Sequence, residues 1–200
     1  MRKVIFTAFT MLFVLSVSAQ ETAEQKNAKR RMFIDDFLAT YEAAYEKKEI
    51  EYIEVFFSTD ALIITETKQL NKCGEELIPK TTKKRPYATI VEDKKQYIKR
   101  LREIFNKNVK IKLNIAGIRV TQHSLHPEIY GVSFSQMWLD QQNGNNIEDK
   151  MPGYIFLMID FKRNETQPTI HVRTWQPKDN IKSPKDKYNL MDFRIYDYGI

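Results

Sequence analysis

Two hundred residues with a formal charge of +6 and a single cysteine are enough for one domain with one core and leave little for a second. Cys73 has no partner for an internal disulfide, so stability must come from packing; a reactive thiol and a plain loop cysteine are both open readings for it. Removing the two cations of the leader described next leaves +4, too modest to imply nucleic acid as a partner.

The chain starts as an export signal. Arg2 and Lys3 precede an apolar run from Val4 to Val17, and Val17-Ser18-Ala19 offers a small-residue cleavage site. The run is shorter than the ~20 residues that span a bilayer, and charged residues follow it, so no stable membrane insertion is expected. Gln20 rather than cysteine follows the cut, against a lipid anchor. The expected organisation is a signal peptide over 1–19, one domain over 20–177, and a linker with a short strand or tail over 178–200. Cleavage near Ala19 would leave the protein periplasmic or extracellular.

Charge is unevenly spread. Lys80 to Lys112 holds twelve Lys or Arg against three acids, whereas Glu21 to Asp60 holds six against ten. Lys80-Thr81-Thr82-Lys83-Lys84-Arg85 has no stacking aromatics before Tyr87 and reads as a solvated loop, with weak affinity for anionic surfaces left open.

Along the mature chain, Glu21 to Lys29 is polar and expected to fray at its start. Ile34, Phe37, Leu38, Tyr41 and Tyr45 then form one apolar stripe at helical spacing. Ile50, Ile53, Phe56 and Phe57 make a short second helix, broken by Ser58-Thr59-Asp60, and Ala61 to Thr65 reads as a strand. A polar stretch with Asn71, Gly74, Pro79 and Pro86 suits a hairpin arm or lid. Tyr97, Ile98, Leu101, Ile104 and Phe105 mark a third helix capped by Asp93. After Asn108 the period becomes two. Ile111, Leu113 and Ile115 alternate with polar residues, and a shift at Ala116-Gly117 predicts a bulge that bends the sheet. Tyr130, Val132, Phe134, Gln136 and Trp138 share one face of the next strand; Tyr154 to Phe161 is apolar on both faces, and Thr169 to Trp175 closes the series.

Helix, short helix, strand, polar excursion, helix and a run of curved strands resembles the cystatin-like roll of the nuclear transport factor 2-like superfamily, over roughly Gln25 to Pro177. The specific carriers are Phe56 to Ile64 and Val172-Arg173-Thr174-Trp175. The resemblance implies an α+β fold in which three helices of the N-terminal half pack on a strongly curved, mostly antiparallel sheet, forming a cone. It also brings enzymatic precedents, in which isomerase-like members carry a carboxylate base a few residues past the Asp-Ala that opens the first strand. Thr65 falls at that place here, and Glu66 is one step away, on the opposite face of a regular strand. The pairing of acid and base that proton abstraction needs is not assembled.

Other chemistry is thin. His123 and His126 sit in a turn with no nearby Asp or Cys to complete a zinc set, and no phosphate loop, nucleophile elbow or paired cysteine motif occurs. No catalytic residue, metal or cofactor is therefore assigned. His171, Arg173 and Trp175 share a strand face that either looks into the cone or covers the outer sheet; β-branched Ile170 and Val172 favour the second arrangement. Candidate ligand contacts are Phe37, Tyr41, Tyr45, Trp138, His171, Arg173 and Trp175. For Tyr41 and Tyr45 the expectation is a packed ring with its hydroxyl at the rim.

The first functional reading is an exported, non-catalytic binding or assembly module whose cone-shaped surface takes a small molecule, another envelope ligand or a protein. The alternative is an isomerase, dehydratase or cyclase using the same pocket, and a cone filled by Phe37, Phe105 and Ile155 would remove it. Tyr154, Phe156 and Met158 lie on the parity opposite Ile155, Leu157, Ile159 and Phe161, so the three are expected to face outward and form a two-fold homodimer interface. Leu190 to Tyr196, read as a docked tail strand, is the rival cover. Phe37→Ala should cost about 3–5 kcal/mol if helix one is enclosed, and Lys84→Ala should be close to neutral.

Overall fold

The computed structural model of the protein describes residues 21–68, 87–142 and 148–180. The leader, Cys73, the Lys80-to-Arg85 stretch and the Leu190-to-Tyr196 segment lie outside the described residues.

Helix α1 (Ala23–Glu46) starts crisply instead of fraying. Thr22 Oγ1 accepts from the Gln25 amide at 3.2 Å, and Gln25 Oε1 accepts from the Thr22 amide at 2.9 Å, so a reciprocal cap satisfies two otherwise orphaned donors. Ile34, Leu38, Tyr41 and Tyr45 form its buried stripe. Phe37 is half-buried at the edge, its ring edge-on to Phe56 at 5.0 Å. Truncating Phe37 should consequently cost nearer ~1–2 kcal/mol than the full-core value.

Lys48 adopts a left-handed φ of 59° in the corner that leads into α2 (Ile50–Val55). Its ammonium donates to the Asn108 and Val109 carbonyls and so ties the corner to the sheet. Strand β1 (Phe57–Lys68) begins immediately afterwards, four residues before Ala61, because Phe57 already pairs with Ile170. The polar excursion returns as β2 (Tyr87–Asp93), a hairpin arm antiparallel to β1. Asp93 caps α3 (Lys94–Lys107), accepting from the Gln96 amide at 2.7 Å.

The remaining strands are β3 (Asn108–Gln122), β4 (Ile129–Gln142), β5 (Glu148–Asp160) and β6 (Thr169–Pro177), with a 3-10 turn over Lys178–Asn180. They form one sheet in the order β2-β1-β6-β5-β4-β3, parallel only between β1 and β6. Gly117, at φ 66°, sits in the predicted bulge, where the β3–β4 register shifts between Ala116 and Arg119. Three helices on one curved, mostly antiparallel sheet is the expected α+β roll. Among the described residues no helix is long and apolar enough to cross a membrane.

A second bulge decides what the site is made of. Ile159 pairs with Ile170 and Met158 with Val172, so His171 is an extra residue on β6. Parity flips across it. Ile170 enters the main core, Val172 turns to the outer face, and Arg173 and Trp175 point into the cone. This overturns the expectation that Ile170 and Val172 share the core face, which assumed a regular strand.

On β5 the alternation holds: Ile155, Leu157 and Ile159 enter the core beside Phe161, while Phe156 and Met158 join Ile129 and Val172 in a separate outer cluster. Phe156 is 2 % exposed within one copy of the chain.

Candidate functional site

The inner sheet face and α3 enclose a cavity of about 890 Å³. The cone is thus not filled by Phe37, Phe105 and Ile155. Its floor and walls follow from strand register. Arg173 stands opposite Leu157 and Val132; Trp175 is level with Ile155 and Phe134; Pro177 is level with Gly153 and Gln136; Met151 is paired with Trp138. Moving outward along the sheet, the side chains met are a guanidinium, an indole, an amide and a second indole. Leu101 and Ile104 of α3 supply the apolar side opposite.

Arg173 is 5 % exposed. Among the described residues its one hydrogen bond runs from Nε to the Tyr41 hydroxyl at 3.2 Å, and its guanidinium carbon lies 5.2 Å from the Tyr97 ring centroid. Burial opposes its charge, but the surrounding oxygens of Tyr41, Tyr97 and Tyr45 more than offset this, and the group stays cationic. The Tyr45 and Tyr97 hydroxyls lie 2.6 Å apart. Burial, reinforced by Tyr41 and Tyr97, holds the Tyr45 proton well above the usual range; burial raises Tyr97 too, with Arg173 opposing. Neither phenol is poised to give up a proton near neutrality.

Arg100, one turn along α3, provides a contrast. It grips Glu92 with Nε–Oε1 at 2.8 Å and Nη2–Oε2 at 2.5 Å while its guanidinium carbon lies 5.3 Å from the Tyr97 centroid. Its charge is neutralised by a carboxylate; among the described residues that of Arg173 is not.

Three buried polar atoms on the cavity lining have no hydrogen-bond partner among the described residues: Gln136 Oε1, Trp138 Nε1 and Asn108 Oδ1. Asn108 uses its other end, Nδ2, on the Ile104 carbonyl at 3.0 Å. Gly153 makes room for the Trp175 indole, since a Cβ there would stand 2.8 Å from the ring. Close approach, not a left-handed φ, is the reason for this glycine: a Cβ would also stand 2.7 Å from the Gln176 carbonyl oxygen.

Of the seven candidate ligand contacts, Trp138, Arg173 and Trp175 line the cavity. Tyr41 and Tyr45 support it from beneath, fully buried and bonded to Arg173 and Tyr97 rather than presenting hydroxyls at the rim. Phe37 remains at the α1 edge. His171, carried out by the bulge, lies with Nδ1 3.4 Å from Ser58 Oγ and Nε2 3.2 Å from Asp160 Oδ2, away from the cavity lining. Tyr97, Asn108, Gln136 and Asp140 also line the cavity, beyond the seven candidates. A signal existed for Gln136, a polar residue inside an apolar row on one strand face.

Glu66 takes the side of β1 opposite Thr65, as alternation requires, and its Oε2 accepts from Gln176 Nε2 at 3.1 Å. His123 organises its turn, Nδ1 accepting from the Leu125 and His126 amides at 3.1 and 3.0 Å.

No protein-family model and no curated protein matches the chain. Solved structures do. A scytalone dehydratase-like protein from Novosphingobium aromaticivorans superposes with a TM-score of 0.57 at 13 % identity, covering 77 % of this chain and 87 % of that one. A chain of naphthalene 1,2-dioxygenase gives 0.56 at 11 % identity over 83 % and 86 %. A nuclear transport factor 2-like protein with a cystatin-like fold, also from N. aromaticivorans, gives 0.54 at 10 % over 80 % and 89 %. The fold is therefore the nuclear transport factor 2-like roll, and at such identities the likeness speaks for fold alone.

Proposed function

We propose that the protein is a small-molecule binding module that holds an amphipathic ligand in the cone without turning it over. The observation that carries this reading is the cavity of about 890 Å³ walled by two indoles and floored by a buried guanidinium. That combination of apolar wall and a few convergent polar groups suits a ligand of drug-like size. The engagement of Glu66 with Gln176 and the two phenols that keep their protons support the reading without turnover. Export and two-fold assembly belong to the same proposal; an N-terminus beginning near Gln20 in secreted material and light scattering on residues 20–200 test them separately.

Trp138 and Trp175 are the chain's two tryptophans and both line the cavity, so occupancy reads out in intrinsic fluorescence. Screening apolar cyclic molecules with and without charged groups should give saturable changes, abolished when Leu101→Phe narrows the cone. Binding that Leu101→Phe leaves unchanged would defeat the reading.

The alternative, a dehydratase, isomerase or cyclase, draws support from Asp140, a carboxylate 8 % exposed on the same lining. Turnover lost in Asp140→Asn with binding retained would establish it.

A further inference from the structure

Among the described residues, Arg173 is a buried charged group with most of its hydrogen-bonding capacity unused. A guanidinium offers five N–H donors in a planar fork, and among the described residues it donates once, to Tyr41 Oη, and faces one aromatic ring. Taking a cation out of water without an anionic partner is costly, and folded proteins rarely tolerate it unless something else compensates. The tyrosine hydroxyls supply dipoles but no net negative charge at neutral pH. The cavity is the direction from which an anion can come.

We infer that the cone selects an elongated anionic ligand: a cyclic carboxylic acid whose carboxylate docks on Arg173, whose ring lies along Trp175, and whose far end carries a hydroxyl. This rests on the binding reading above and deepens it. The fork of Arg173 matches a carboxylate in two parallel hydrogen bonds, which favours that group over a neutral amide. Trp175 comes next inward along β6, its indole packed close to Gly153. The far end is set by Gln136 and Trp138. Among the described residues Gln136 Oε1 lacks a donor and Trp138 Nε1 lacks an acceptor, and one hydroxyl supplies both. Gln136 is level with Pro177, four residues beyond Arg173, which at ~3.3 Å per residue separates the two backbone rows by about 13 Å. Long side chains reaching inward from both rows shorten that span to the length of a phenyl-substituted short-chain acid.

Matched probes test this on the purified protein by calorimetry, with tryptophan fluorescence reporting that binding is in the cone. Three compounds suffice: 4-phenylbutyrate, its primary amide, and 4-(4-hydroxyphenyl)butyrate. The carboxylate should bind at least tenfold tighter than the amide, and Arg173→Met should abolish that preference by weakening the acid far more than the amide. Arg173→Lys should restore part of the preference, which a merely structural role for the arginine would not do. The distal hydroxyl should add several-fold affinity, lost in Gln136→Leu. Equal affinity of acid and amide overturns the anion inference and leaves the cone as a binding site. Failure of all three compounds to perturb either tryptophan overturns both. A hydroxyl effect that Gln136→Leu does not touch overturns the placement of the far end.

Discussion

Two arginines, Arg30 and Arg173, are both buried against the same sheet, and their surroundings differ completely. Arg30 reaches from α1 to the loop after β5. It donates Nε and Nη2 to the two Glu165 oxygens at 2.8 and 2.6 Å and Nη1 to the Pro127 carbonyl at 2.7 Å, and it covers the Phe161 ring at 5.5 Å. Lys26 adds a further contact to Glu165 at 2.9 Å. Arg173 has one phenol and one ring face. At one end of the roll charge is fully answered and the chain is fastened; at the other it is left open toward a cavity. A buried cation whose charge is met by a carboxylate and a carbonyl fastens the chain, and one with donors unused on a cavity wall is where the proposed anion would dock.

Arg30→Met is the harshest way to break the fastened end. It removes charge-assisted hydrogen bonds to a carboxylate and to a backbone carbonyl, so a loss of about 2–4 kcal/mol is expected in denaturant unfolding. Next in size is Tyr45→Phe, which leaves the Tyr97 hydroxyl buried without its partner. About 1–2 kcal/mol should be lost, and Tyr45→Phe with Tyr97→Phe together should cost less than the two single losses added.

Acid sharpens the comparison. The Glu165 carboxyl is held down to about 2 by hydrogen bonding from Arg30, against burial, with Lys26 assisting; its ordinary value is 4.5. A folded-state pKa below the unfolded one means stability that is present above the unfolded value and lost as pH falls from about 4.5 through about 2. Because the Glu165 side chain is 41 % exposed, solvent screening keeps the effect to the order of 1 kcal/mol. Thermal midpoints should fall over that window in the native protein and fall less in Glu165→Gln.

The smallest expected effect is the most telling. Arg173→Met should change unfolding free energy by no more than about 1 kcal/mol in either direction, since the lost Tyr41 bond is offset by relief of an unpaired buried charge. A loss as large as that of Arg30→Met would mean that Arg173, too, is architecture.

Much of this was legible in the chain. Helical stripes on α1 and α3, the Asp93 cap, the Gly117 bulge and the inward row from Tyr130 to Trp138 are local patterns with local causes, and each emerged where periodicity put it. The reciprocal cap of Thr22 and Gln25 is equally local, and the polarity of the segment masks it. By contrast, the half-burial of Phe37 could not be read from its place in an apolar stripe, because the stripe is wider than the surface that the sheet offers it.

What the sequence alone determined is the set of elements and most of their inward faces, since backbone geometry ties side-chain direction to the next few residues. The contents of the cone were decided by tertiary structure. One extra residue on β6, visible only through its pairing with β5, turns Arg173 and Trp175 inward and His171 away. Tyr97, Gln136 and Asn108 reach the same space from α3, β4 and the start of β3. Alternation along one strand has no knowledge of a bulge imposed by its neighbour, and charge along a chain does not say which cation will be buried without an answering anion.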